Sequence, residues 1–198
     1  MAPHVAALIL AAGSSSRMGT SKPLLPLGDR PVIRHCFDTI VAAGIRQVII
    51  VINARDNGIP EAMHDTLAKI VRNTVPDSQM SDSVRTGLAA IEDGCSGVLV
   101  CLSDHPLVSV GTYKAIISAH QEAPDRIIIP VCNGRRGHPT LFPPSAMKEI
   151  ASGAVLRDVI RKDASRLSLL DVADEGVLLD MDTDDDYRRI LGKFKAGR

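Results

Sequence analysis

The sequence carries no surplus charge: 23 lysines and arginines face 23 aspartates and glutamates. A net charge of zero removes the broad basic footprint that duplex binding needs, so no nucleic-acid partner is expected. No apolar run approaches the ~20 residues of a membrane span, and the amino terminus lacks the basic-then-apolar order of a signal peptide. The expectation is a cytoplasmic protein with no membrane partner. Four cysteines, Cys36, Cys95, Cys101 and Cys132, stand in separate segments without a C-x-x-C pair. They read as thiols packed as small hydrophobes rather than as zinc ligands. No internal repeat, low-complexity tract or linker interrupts the chain. Its 198 residues can bury a substantial core, and residues 1–198 are expected to form a single domain.

What is present is organised around one stretch, Ala11-Ala12-Gly13-Ser14-Ser15-Ser16-Arg17-Met18-Gly19-Thr20-Ser21-Lys22-Pro23. It follows an apolar strand, Val5 to Leu10, and precedes a turn-and-helix segment, Gly28 to Ala43, which makes it a loop at the carboxyl end of a first strand. Open α/β sheets bind their ligands there. Small residues let backbone N–H groups approach an anion, and Arg17 and Lys22 add the positive charge that a triphosphate needs. Two other phosphate loops are excluded. Five residues separate Gly13 from Gly19 where a Walker loop has four, and the G-x-G-x-x-G fingerprint is absent. The alternative is an ordinary serine-rich surface loop.

Further along, Pro31 fits the first turn of a helix carrying Val32, Ile33, Cys36, Phe37, Ile40 and Val41 at helical spacing, closed by Gly44. A strand over 47–52 is almost wholly apolar, as when helices cover both faces. Then come a helix from Pro60 to about Ala68, a short strand over 70–72, a polar loop reaching Met80-Ser81-Asp82-Ser83-Val84-Arg85 and a helix from there to Asp93. The strand from Val98 to Leu102 ends in Ser103-Asp104-His105-Pro106, which sets one carboxylate on the same sheet edge as the first loop, facing it. Ser109 caps a helix to about Glu122, a strand follows over 126–131, and Asn133-Gly134 turns it into an antiparallel partner, Arg135 to Phe142. Helices around 145–151 and 155–162, closing strands over 167–170 and 177–179, and a last helix capped by Thr183 with Asp186 complete an α/β chain with a mixed hairpin insertion.

These motifs together resemble the molybdenum-cofactor nucleotidyltransferases, and within them the cytidylyltransferases. The resemblance rests on Leu10-Ala11-Ala12-Gly13 with Arg17-Met18-Gly19 and Lys22, Ser83-Val84-Arg85-Thr86-Gly87-Leu88, Asp104-His105-Pro106-Leu107, Gly137-His138-Pro139 and Asp180-Met181-Asp182-Thr183. It implies a Rossmann-like three-layer sandwich, mostly parallel with a β-hairpin insertion, acting as a nucleotidyltransferase. The implied reaction moves CMP from CTP to a phosphate-bearing acceptor, molybdopterin with its molybdenum, and releases pyrophosphate; a molybdenum enzyme would receive the product. Ala12, where related guanylyltransferases carry a glycine, favours cytosine. The chain departs from the family at His105, often glutamine or methionine, and at Gly153-Ala154-Val155-Leu156-Arg157, often Gly-Asp-x-Gly-Ala-Arg.

The residue types suit that chemistry. Displacement at an α-phosphorus builds negative charge on oxygen, so catalysis is mostly positioning and neutralisation. Asp104 would hold Mg²⁺, which takes one or two carboxylates with phosphate oxygens and water. Asp182 is the candidate second carboxylate, with a solvated helix start as its alternative. Lys22 would contact the transferred phosphate and Arg17 the pyrophosphate end. Leu10, Ala11, Ala12, Gly13 and Ser14 would line the substrate side of the cradle, and Ser83 matches the family's serine at the nucleoside. His138 would recognise the acceptor, since a phosphate anion needs no base; a turn-packing histidine is the alternative. Arg135 and Arg136 either meet an anionic acceptor or decorate the hairpin. The rivals are a cytidylyltransferase for another phosphorylated small molecule and a non-catalytic carrier of the cofactor.

Overall fold

The computed structural model of the chain describes residues 4–13 and 21–196. Ser14 and Arg17 lie outside the described residues. The first strand, β1 (Val5–Ala11), is followed by a tiny antiparallel pair, β2 (Pro26–Leu27) and β3 (Arg30–Pro31), and then by α1 (Val32–Ala42) and β4 (Gln47–Asn53). Next come α2 (Gly58–Ala62), β5 (Lys69–Asn73), α3 (Met80–Leu88), β6 (Gly97–Leu102) and α4 (Val110–Glu122). The remainder is β7 (Ile127–Cys132), β8 (Arg135–Arg136), β9 (Thr140–Phe142), α5 (Pro144–Ala151), α6 (Leu156–Arg161), β10 (Leu167–Asp171) and α7 (Asp184–Ala196).

The described residues form an eight-stranded sheet in the order β10-β7-β9-β6-β1-β4-β5, with β8 beside β7. It is mostly parallel, and β9 is wedged antiparallel between β6 and β7. Alternation along the strands splits the core in two. Ala7 and Ile9, Ile50 and Ile52, Leu99 and Cys101 face α1, α4 and α7. Leu8 and Leu10, Ile49 and Val51, Val98 and Val100 face α3, α5 and α6. Strands covered on both faces are therefore apolar throughout, and the result is a three-layer α/β sandwich. On the second face α3 presents Ser81, Ser83, Val84 and Gly87. A Cβ on Gly87 would lie 2.9 Å from Val51 Cγ2 and 3.0 Å from Leu8 Cδ1, so this helix rides unusually close to the sheet. Among the described residues no helix is long and apolar enough to cross a membrane, and the four cysteines are unbridged.

Several elements differ from the sequence expectation. The helix expected over 60–68 spans only Gly58–Ala62: the Thr66 hydroxyl takes the Met63 carbonyl at 2.7 Å and accepts from the Ala68 N–H, a local side-chain bond that competes with further helix. The helix expected to reach Asp93 ends at Leu88, where i→i−3 bonds from Ala90 and Ile91 tighten the chain and Lys69 takes the Ala90 carbonyl. Pro31 closes the small hairpin, one residue before α1. The strand expected over 135–142 is split, because Gly137 bonds back to Pro130 while the His138 N–H goes to the Val177 carbonyl. The closing strand expected over 177–179 is instead a 3₁₀ turn, Glu175–Leu178, capped by Asp174. The Asn133-Gly134 turn forms as expected, with φ of 51° and 74°, both left-handed as a two-residue hairpin requires.

Candidate active site

Chain order places the cleft. From β1 the chain moves outward to β4 and β5, then crosses back to lay β6 on the other side of β1. The strand order reverses between β1 and β6, and a crevice opens beyond their carboxyl ends, as open α/β sheets provide at such a switch. Register puts Leu10 opposite Leu102, so Ala12-Gly13 and Ser103-Asp104 leave the sheet side by side. A cleft of about 310 Å³ lies there, lined by Leu10, Ala11, Ala12, Gly13, Lys22, Ser83, Asp104 and Asp182. These eight candidates from five separate stretches of sequence meet in one place. Pro23, Ser78, Gln79, Met80, Leu102 and Ser103 complete the wall.

Lys22 begins a short 3₁₀ turn, Lys22–Leu24, and its Nζ donates to Asp182 Oδ1 at 2.9 Å. Lys22 is 18% exposed and Asp182 62%, so the pair sits at the rim with the ammonium on the inner side. Asp182 reaches the cleft from the stretch between the 175–178 turn and α7, with neighbouring Met181 fully buried as its anchor. The expected Thr183 and Asp186 cap forms just beyond, each backbone N–H bonded to the other's side chain at 3.0 and 3.2 Å.

Asp104 is the deeper acid. Its Oδ1 is sealed from solvent and has no hydrogen-bond partner among the described residues. Burial pushes its carboxyl above the usual range, with help from the charge of Asp180; His105, a backbone bond and Lys22 pull the other way. His105 Nε2 stands 3.9 Å from Asp104 Oδ1, too far for a hydrogen bond. An ionised acid held with an unsatisfied oxygen wants a cation. Among the described residues no cluster of three or more His, Cys, Asp or Glu side chains could hold a metal alone. One or two carboxylates beside a cleft sized for phosphates fit Mg²⁺, which draws its other ligands from phosphate oxygens and water.

His138 does not line this cleft. It stacks edge-on against His105, ring centroids 5.4 Å apart, and its Nδ1 is buried without a partner among the described residues. Burial, then the neighbouring His105, push it down to about 4, so the ring is neutral near pH 7.

Sequence reasoning missed the other wall. A wider hollow of about 720 Å³ shares Ala12, Gly13, Ser78 and Gln79 with the first and continues to Asn53, Arg55 and Asn73. Arg72 stiffens it, donating to the carbonyls of Ala54 and Asp56 at 2.9 and 2.6 Å and to Asn57 Oδ1 at 3.2 Å. Gln79 and Asp82 bond reciprocally there as a capping box at the start of α3, but Gln-x-x-Asp is not the Ser/Thr-x-x-Glu/Gln pattern that would have marked it in the sequence.

Comparison with known proteins agrees with this geometry. The MobA-like NTP transferase domain matches residues 7–168. The nicotine blue oxidoreductase of Paenarthrobacter nicotinovorans is 29% identical over 201 residues, covering 96% of this chain and 97% of that one. The bifunctional protein GlmU of Clavibacter sepedonicus is 30% identical over 176 residues, covering 78% of this chain and 34% of that protein; the chain thus matches about a third of the length of that relative. Among solved structures, Rv0371c from Mycobacterium tuberculosis H37Rv superposes with a TM-score of 0.82 at 29% identity, covering 97% of this chain and 99% of that one. The same protein in complex with manganese gives 0.77 at 26% identity, covering 97% and 100%. A match running from β1 into β10, on a sheet whose switch point carries the cleft, means that the chain belongs to the MobA-like NTP transferase domain family and is a nucleotidyltransferase.

Proposed function

We propose that the chain is a Mg²⁺-dependent cytidylyltransferase that moves CMP from CTP onto the terminal phosphate of molybdopterin carrying molybdenum, residues 1–198 acting as one nucleotidyltransferase domain. The observation that carries this reading is the meeting of Lys22, Asp104, Asp182 and the Leu10–Gly13 segment in one cleft. An oxygen of the acceptor phosphate attacks the α-phosphorus of CTP and forms a new P–O bond. The bond from that phosphorus to the β-phosphate oxygen breaks, and pyrophosphate leaves. Charge grows on the equatorial and leaving oxygens, so the protein's task is to hold and neutralise them.

Lys22 takes the transferred phosphate, and Arg17, from the stretch outside the described residues, the pyrophosphate end; Ser14 and the Leu10–Gly13 backbone cradle the rest. Asp104 and Asp182 would hold Mg²⁺, which when bound neutralises phosphate oxygens as a Lewis acid. The manganese complex of Rv0371c supports a divalent ion here. The Lys22–Asp182 pair is exchangeable: triphosphate takes the ammonium and frees the carboxylate for a cation arriving with it. Ser83 meets the nucleoside. His138, neutral, recognises the acceptor by hydrogen bonding, because a phosphate monoester is already an anion and gives up no proton before attack.

Incubation with Mg²⁺, each nucleoside triphosphate in turn and extracted molybdenum cofactor is expected to release pyrophosphate with CTP. Release with GTP but not CTP overturns the base assignment. Release with CTP only when another phosphorylated small molecule replaces the cofactor moves the activity to that acceptor. The full-length match to an oxidoreductase brings a second reading, a redox reaction in the same cleft. Hydride transfer makes no use of a lysine between two acids, and substrate-dependent NADH oxidation without pyrophosphate would establish it.

A further inference from the structure

Asn73 ends β5 only 3% exposed and makes two bonds. Its Oδ1 accepts the Val75 N–H at 3.0 Å, and its Nδ2 donates to Ser83 Oγ at 3.0 Å. The first bond fixes the second, since a flipped amide would set an NH₂ group against a backbone N–H. Ser83 Oγ is therefore an acceptor on its Asn73 side, and its own proton points elsewhere. No described acceptor takes that proton, while Ser83 lines the cleft. The helix carrying it is held in place: Asp82 accepts from the Gln79 N–H at 2.8 Å and from Arg85 at 2.6 Å.

We propose that Asn73 is a positioning residue that fixes the Ser83 hydroxyl as a hydrogen-bond donor to the cleft, so that the nucleobase subsite takes a pyrimidine through its O2 carbonyl in preference to guanine. The inference deepens the proposed function and rests on its placing of Ser83 at the nucleoside. A pyrimidine O2 is an acceptor, whereas guanine presents its 2-amino group as a donor on that edge. Donor against donor leaves two polar groups unpaired in a buried site, the mismatch by which such sites discriminate most strongly. Ser83 alone does not decide this, because a hydroxyl can turn either way. Asn73 removes that freedom.

The test titrates Mg·CTP and Mg·GTP into the full chain by calorimetry, comparing the unaltered protein with Asn73→Asp and Ser83→Ala. Asn73→Asp keeps an acceptor for Val75 but faces Ser83 with another, so the hydroxyl must turn inward and show the cleft a lone pair. The added carboxylate weakens both nucleotides alike, and their ratio cancels it. The CTP:GTP affinity ratio is expected to fall about tenfold or more in Asn73→Asp, and to fall in Ser83→Ala as well. An unchanged ratio in Asn73→Asp beside a collapsed one in Ser83→Ala overturns the role of Asn73 and leaves Ser83 at the base. An unchanged ratio in both overturns the placing of Ser83 too. Should Asn73→Asp fail to fold, 2-thio-CTP answers with the unaltered protein. Sulfur is a poor acceptor, so binding weakened about tenfold relative to CTP supports the proposal, and equal binding overturns it.

Discussion

Asp104→Ala is expected to slow CTP-dependent pyrophosphate release by about 10²- to 10³-fold while the protein stays folded. That loss corresponds to about 3–4 kcal/mol of transition-state stabilisation. It is expected on KM as well as on kcat, because on the proposed reading Asp104 would hold the metal that arrives with the nucleotide and also answer charge that grows as the phosphorus–oxygen bonds exchange. The fold survives for a separate reason. Asp104 lies in a loop beyond β6, its Oδ1 makes no hydrogen bond among the described residues, and burial already disfavours its ionised form. Removing it relieves an unpaired charge, so the thermal midpoint of the ligand-free variant is expected to hold or rise.

Ligand binding separates the two forms. A nucleotide–metal pair at about 100 times its Kd adds about 2.7 kcal/mol to a folded protein, and the variant is expected to lose most of that shift with Mg·CTP. A carrier would behave otherwise. Unchanged delivery of cofactor to a recipient molybdenum enzyme by Asp104→Ala would favour a non-catalytic carrier, and full turnover would remove this carboxylate from the chemistry.

Much of this cleft could be foreseen because its parts sit where sheet physics puts ligands. An apolar run that stops at Gly13 and another that stops at Asp104 name two strand ends, and parallel strands bring such ends to one edge. Lys22 was legible as a positive charge in the loop after the first strand, whereas Asp182, 160 residues further on, was legible only through resemblance to a family, since nothing local tells a rim aspartate from a solvated helix start. Asn73 was not legible at all: an asparagine closing a short strand has no pattern, and its meaning lies in the amide orientation that Val75 imposes. The stretch 177–179 failed for another reason. Val-Leu-Leu is too short for its periodicity to separate strand from turn, and the deciding contact is the Asp174 carboxylate on the Gly176 N–H at 2.9 Å.

That same turn carries the largest expected effect on stability. Gly176→Ala is expected to cost about 3 kcal/mol or more, because its new Cβ would fall on the backbone carbonyl of Leu107 and neither side can withdraw. On one side, Asp174 ties the turn to the start of α4, accepting from the Ser109 N–H at 2.8 Å and the Thr112 hydroxyl at 2.6 Å. On the other, the Val177 carbonyl holds the His138 N–H at 2.9 Å, and Val177 fills the space where Gly137 would carry a side chain. Leu107 follows Asp104-His105-Pro106, so any displacement of the turn is passed to the acid of the cleft, to His138 and to Asp182 downstream. At about 2–4 °C per kcal/mol for a chain of this size, the midpoint should drop by roughly 6–12 °C, and pyrophosphate release should fall even where the protein remains folded. Gly192→Ala supplies the contrast. Its Cβ meets open space on the exposed face of α7, so it should gain about 0.5–1 kcal/mol from helix propensity alone. Thermal unfolding of both variants decides the matter: equal small shifts would mean that the 174–178 turn yields freely and does not brace the cleft.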